Sequence, residues 1–414
     1  MTLVRTISCW SIVMFLFIYI LGGQFNVVSA HATLEKAQPA NSEVISESPN
    51  HIHLEMSEPV NAAYSKITLY NDQGKVISDI KPNTSGFSKT LTYDVDDLTE
   101  GTYLVQWETI AQDGHDMQGK YLFSVGKQTA TSIDTTQPLL SDVSFWWGAM
   151  RFLLQSLLLT LVGLYLVNRI MEREDLPIHP ILPKYHSVTT ILLMVTLGTG
   201  ILYLMTLPQP VIHQILSLDF TVWLQFPFVF SIVALLLLVT LFALRNMESI
   251  WYDSMPFLIM IAMAISGHVW SQTVPIYSIV IRMIHLIGIS LWLGSLLYLV
   301  LYVLARHRHS YVPILRALLF KLNVTAVLMI IISGILMTID QTTFSKLLEH
   351  LTLYSTLWYT KVIVTTIMMG LGSYQTFKVM KSKKKIHQPI LFLELALGVI
   401  LILAGVIMSQ IEIL

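Results

Sequence analysis

The chain of 414 residues contains a single cysteine, Cys9, and it lies in the N-terminal leader. A mature chain without thiols excludes disulfides and thiolate chemistry, so any metal must be held by histidine, methionine, carboxylate or amine. Charge is scarce too: charged residues make up 12% against 54% apolar ones. That is too little for a soluble enzyme of this length and reads as a membrane protein with an appendage. Arginine is absent from His31 to Leu140, where seven lysines face fifteen acids for a net −8. Ser141 to Leu414 carries seventeen bases against eleven acids, net +6. An acidic outer module favours cations near it. No Gly-x-x-x-x-Gly-Lys loop and no phosphorylatable transport motif stands out, which argues against an ATP-driven pump.

The leader has one cation, Arg5, an apolar run from Ile7 to Leu21 and small residues at Val28 and Ala30. An apolar core of roughly 15 residues is short for a spanning helix and fits a secretory signal peptide over 1–30. Cleavage after Ala30 would start the mature protein at His31, whose α-amine and ring Nδ1 can grip one ion. Paired amine and imidazole nitrogens suit tetragonal Cu(II).

From His31 to Lys127, period-two segments recur between turn signals at His51–Met56, Ser65–Tyr70, Lys75–Ser78, Ser88–Val95, Tyr103–Ile110 and Lys120–Val125. The pattern predicts an all-β sandwich or barrel, with Ile52, Leu54 and Met56 on one core face and Tyr103, Val105 and Trp107 on another. Asn71-Asp72-Gln73-Gly74 predicts a hairpin turn. In the loop Ala111–Asp116, Asp113 and His115 stand two apart and point to the same side of an extended backbone. Taken alone, Asp113-Gly114-His115 reads as a structural turn; joined to the His31 chelate it completes an amine, two imidazoles and a carboxylate for Cu(II). His51 and His53 share an outward strand face and read as solvated, with a secondary metal site as the lesser alternative.

His31-Ala32, Pro39-Ala40-Asn41, Ser57-Glu58-Pro59-Val60 and Asp113-Gly114-His115 resemble the family of periplasmic copper-binding CopC proteins. The resemblance implies a small Ig-like sandwich over 31–127 with His31, Asp113 and His115 as Cu(II) ligands. The methionine-rich Cu(I) site of some relatives has little to build on here, since the module holds only Met56 and Met117.

A Thr-, Ser- and Gln-rich linker, 128–142, leads into eight apolar stretches: 143–167, 187–207, 224–244, 255–273, 276–303, 317–339, 356–377 and 388–410. Each approaches or exceeds the ~20 residues of a membrane span. With the module outside, twelve basic residues fall in inner loops and only Lys346 in an outer one, as the positive-inside rule requires. The Lys383–Lys385 run is then an orientation signal and not a nucleic-acid patch. Within the spans lie Arg151, His268, Arg282, His285, Lys321, Lys361 and Glu394, and such residues face a bundle interior, a partner or water. A membrane histidine is as readily an interhelical hydrogen-bonding group as a ligand. Met260 and Met263 read mainly as packing groups.

Ser266-Gly267-His268, His285-Leu286, Trp292-Leu293-Gly294, Lys361 and Glu394 resemble the inner-membrane CopD copper proteins, and the whole chain resembles a CopC–CopD fusion of the copper-resistance and copper-uptake family. The resemblance implies a multidomain protein: a β-sandwich followed by an all-α bundle of eight helices over 143–410. It would be a multi-pass cell-membrane protein that is not an enzyme, capturing copper outside and passing it to His268 and His285, with import as the direction. Expected partners are copper ion, membrane lipid and an extracytoplasmic copper donor or reductase, with no nucleic acid. The competing readings are a haem-binding redox protein ligated by His268 and His285, an oxidative enzyme on the terminal-histidine site, and a copper sensor or resistance protein without transport.

Overall fold

The computed structural model of the chain describes residues 34–110, 116–135, 139–270, 272–305, 312–342, 347–348, 352–381 and 386–410. Its N-terminal part is a β-sandwich of eight strands: β1 (Leu34–Gln38), β2 (Glu43–Ile45), β3 (His51–Asn61), β4 (Lys66–Tyr70), β5 (Val76–Ile80), β6 (Phe87–Asp94), β7 (Gly101–Ile110) and β8 (Asp116–Val125). One sheet has the order β1-β3-β6 and the other β2-β8-β7-β4-β5. The alternation of β3 turns Ile52, Leu54 and Met56 inward, 0%, 1% and 1% exposed, against Tyr103, Val105 and Trp107 of β7. Because side chains alternate across a strand, one face of each sheet builds the core.

β1 and β2 have no predicted counterpart, for a physical reason. Both are sheet edges, and in Leu34–Gln38 only Ala37 is buried, so neither shows the period of a half-buried strand. The outer face of β7 is also covered. Thr102 Oγ1 accepts the backbone N–H groups of Thr129 and Ala130 at 2.8 and 3.1 Å, and Ile133 is buried. Gly74, at φ 74°, lies under the Asp134 carbonyl. The stretch after the last strand therefore lies along the five-stranded sheet instead of hanging free.

Gly119 is the β8 residue opposite Trp107, and a Cβ there would run into the Trp107 indole. Gly119→Ala is expected to cost about 1–3 kcal/mol, as overpacking does. Hydrogen exchange across β7 and β8 checks it, and unchanged protection would show that the indole has room to move.

The rest of the described chain is helical: α1 (Val143–Glu172), α2 (His186–Thr206), α3 (Gln209–Leu216), α4 (Phe220–Gln225), α5 (Pro227–Phe242), α6 (Ser249–Ala264), α7 (Pro275–Leu304), α8 (Val312–Gln341), α9 (Leu353–Tyr374) and α10 (Gln388–Met408). A helix lies on each of the eight apolar stretches, but among the described residues five are long and apolar enough to cross a membrane: α1, α2, α7, α8 and α10. α5 and α6 have 16 residues each, short of the ~20 a span needs. On α2, Ile191, Met194, Leu197, Ile201 and Met205 form an exposed apolar face at helical spacing, which only lipid or another helix covers well.

α7 is the central helix, packed against α1, α6, α8 and α10. Its closest approach is to α1, where Gly163 and Gly294 meet backbone to backbone beside the Ser290 carbonyl. Small residues let helices associate this closely where no hydrophobic effect drives them together.

Candidate metal-handling site

The three residues expected to hold Cu(II) in the sandwich, His31, Asp113 and His115, lie outside the described residues. What is described is the frame around them. β7 and β8 pair up to Ile110 opposite Asp116, so the segment with Asp113 and His115 leaves and re-enters at one end of the five-stranded sheet. β3 ends near the same place, its last residue Asn61 running through a short turn, Ala62–Tyr64, into β4, whose Lys66 pairs with Glu108. β1 runs antiparallel to β3, so its N-terminal residue, Leu34, is its residue nearest that end.

That end of the sandwich sits on the helical part. Ile110, 3% exposed, packs with Leu207, Val211, Ile215, Val222, Phe226 and Val229. The Tyr64 hydroxyl donates to Gln214 Oε1 at 2.5 Å. The seat is made by α3 and α4, which stand largely between the expected spans 187–207 and 224–244. Eight and six residues are too few to display a periodic signal, so the seat was not legible beforehand.

Beneath the seat the bundle becomes aromatic and then basic. Trp147, Tyr203 and Phe228 form a ring cluster with centroids 4.6–5.5 Å apart. The Arg151 guanidinium lies 5.2 Å from the Trp147 centroid and 5.3 Å from that of Phe228. Arg151 is 3% exposed and its Nε has no partner among the described residues, so the two rings supply the cation's contact. Arg282, one turn before His285 on α7, donates to the Ser266 carbonyl and lies where a side chain on Gly267 would reach. This ties α7 to the segment leading into the turn His268–Trp270. The His268 backbone is thus placed on the side of the bundle that carries the sandwich; its side chain is outside the description.

His285 is partly buried, with Nδ1 2.9 Å from Ser333 Oγ on α8. Ser333 was missed from sequence, where a lone serine before Gly334 in an apolar run gives only a faint signal. Since Ser333 Oγ also donates to backbone carbonyls of its own helix, it is an acceptor for His285 Nδ1, and the ring also bonds to the Ile330 backbone. Arg282 and Lys361 both act electrostatically on His285. Glu394 is buried at 3% exposure, its Oε1 unpartnered among the described residues. Met260 is fully buried and takes a contact from Ser290 Oγ at 3.6 Å, as a packing group would. Met56 and Met117 are core residues at 1% and 6% exposure, which keeps both sulfurs off the sandwich surface. Among the described residues no three His, Cys, Asp or Glu side chains come together as a metal cluster. His285 thus stands at the contact between α7 and α8.

On the outer face of the three-stranded sheet, His51 and His53 each bond through Nδ1, to Asp94 Oδ1 at 2.8 Å and Thr92 Oγ1 at 3.0 Å. Hydrogen bonds from Asn83 and from His51 hold the Asp94 carboxyl below the usual carboxylate range.

Residues 34–126 match the family model described as the CopC domain. The copper transport protein CutJ of Bacillus subtilis (strain 168) is 28% identical over 127 residues, 28% of this chain and 22% of its own length. The chain thus matches less than a quarter of that relative. Protein YobA of Escherichia coli (strain K12) is 34% identical over 100 residues, 24% of this chain and 81% of YobA. Among solved structures, CopC from Methylosinus trichosporium OB3b is 29% identical, with 25% of this chain and 99% of that one covered and a TM-score of 0.22. Through its N-terminal sandwich, this chain belongs to the CopC domain family.

Proposed function

We propose that the protein is a multi-pass cell-membrane copper importer in which the sandwich captures Cu(II) outside and passes it to a CopD-like bundle of eight helices. The reading takes 1–30 as a cleaved signal peptide, 31–127 as the capture module, 128–142 as the connection and 143–410 as the bundle. Capture rests on His31, Asp113 and His115, and passage on His268 and His285. The protein acts by binding and transfer, not by catalysing a reaction, with lipid around the helices and an extracytoplasmic donor or reductase supplying the ion. The observation that carries this reading is the seating of the sandwich. The β7–β8 end, from which the Asp113 and His115 segment emerges, rests through Ile110 and Tyr64 on α3 and α4, on the side of the bundle that holds His268. Below the seat lie the Trp147, Tyr203 and Phe228 rings and Arg151.

The test is cellular copper under copper limitation, with and without the protein. Expression is expected to raise it. His115→Ala should lower both Cu(II) affinity and accumulation more than Asp113→Ala does, since imidazole is the stronger donor for Cu(II) and the carboxylate is the natural axial ligand. Copper content that falls on expression would reverse the direction of transport.

A further inference from the structure

The outer face of the three-stranded sheet carries two histidines that capture and transfer do not use. Ile52 between them is fully buried, so the pleat of β3 sends His51 and His53 out on the same side. Their ring centroids are 6.0 Å apart. Each Nδ1 is taken by the residue directly across on β6, Asp94 for His51 and Thr92 for His53. Asp94 also accepts from Asn83 Nδ2 at 2.5 Å, and an ionised carboxylate can only accept, so His51 Nδ1 carries the hydrogen and its Nε2 the free lone pair. Thr92 can play the same accepting part for His53. A ring nitrogen anchored on a carboxylate or another oxygen is the outer-shell arrangement that orients metal-binding histidines and fixes their tautomer.

We propose that His51 and His53 form an accessory site for one divalent transition-metal ion, held by the two Nε2 atoms with water completing its shell. Bonds of about 2.0–2.1 Å to each nitrogen require the rings to turn slightly toward each other from their present separation, and the neutral bond to Thr92 is the one that yields most easily. Two neutral nitrogens make a weaker and more exchangeable site than a terminal amine chelate. Cu(II) should bind there more tightly than Zn(II), following the usual order for nitrogen ligands.

The test is calorimetric titration of the full chain in detergent, with Cu(II) and separately with Zn(II). Wild type is expected to take up Cu(II) in a tight step and a weaker one. His51→Gln with His53→Gln should remove the weaker step and leave the tight step in place, while Asp94→Asn should weaken it by roughly 10–100-fold. A single Cu(II) step in wild type, or a weak step that survives in the double variant, would overturn the site. Loss of the tight step as well, in a variant melting at the wild-type temperature, would make these histidines part of the primary site and equally overturn an accessory one. If the double variant melts early, unmutated protein decides. Zn(II) should protect both rings from diethylpyrocarbonate modification, and equal modification with and without Zn(II) counts against the proposal.

Discussion

A chain carrying one extra residue before His31 is expected to lose tight Cu(II) binding while its sandwich stays folded. The extra residue converts the His31 amine into an amide, which removes one of four proposed donors and with it the six-membered chelate ring that amine and ring nitrogen would close on the metal. Losing an outer-shell partner already costs a metal site roughly 10–100-fold in affinity, and losing a directly bound chelating nitrogen should cost more. The fold should tolerate the change, because the described sandwich core is built from β1 onward. Electron paramagnetic resonance of the Cu(II)-loaded mature and extended proteins is the check. An unchanged nitrogen-rich signal in the extended protein would remove the terminal amine from the site.

The second large effect is expected at the crossing of α1 and α7. A Cβ on Gly294 would meet the backbone of Gly163 and Leu164, and one on Gly163 would meet the Ser290 carbonyl. Backbone cannot swing aside as a side chain can, so the helices must separate. α7 also holds α6, α8 and α10, so their separation unpacks the bundle around it. Gly294→Leu should therefore exceed the ~1–3 kcal/mol typical of overpacking and leave little monodisperse protein after extraction. Gly405, with nothing near the position of its absent side chain, is the control. Gly405→Ala should be neutral, and a Gly294→Leu variant that purifies like it would show that the crossing is not as close as described.

How far the sequence carries depends on how strongly each element patterns its residues. β3 and β7 alternate because each has one face in the core, and both were legible down to the residues that build it. β1 and β2 hide because edge strands bury too little to pattern. The apolar stretches announced helices, yet α5 and α6 are 16 residues long, where composition had suggested spans of about twenty. The seat of the sandwich was illegible: Ile110 looks like one more strand residue, and its burial against Val211 and Ile215 is a tertiary fact. At the site, the sequence put Arg282 and His285 three residues apart within one span but could not show that Arg282 would turn to the Ser266 carbonyl and His285 to Ser333. Those partners lie 16 and 48 residues away in sequence.

The central claim, that copper moves from the sandwich into the bundle, is tested most directly by replacing His268 and His285 together with alanine. Cu(II) binding by the outer module and intracellular copper under starvation are then measured in the same cells. Neutral imidazoles can take a copper ion without adding charge between Arg151, Arg282 and Lys361. The account predicts a double variant that inserts normally, captures Cu(II) as the wild type does and fails to accumulate copper. Wild-type accumulation would contradict it and leave both histidines as helix-packing groups.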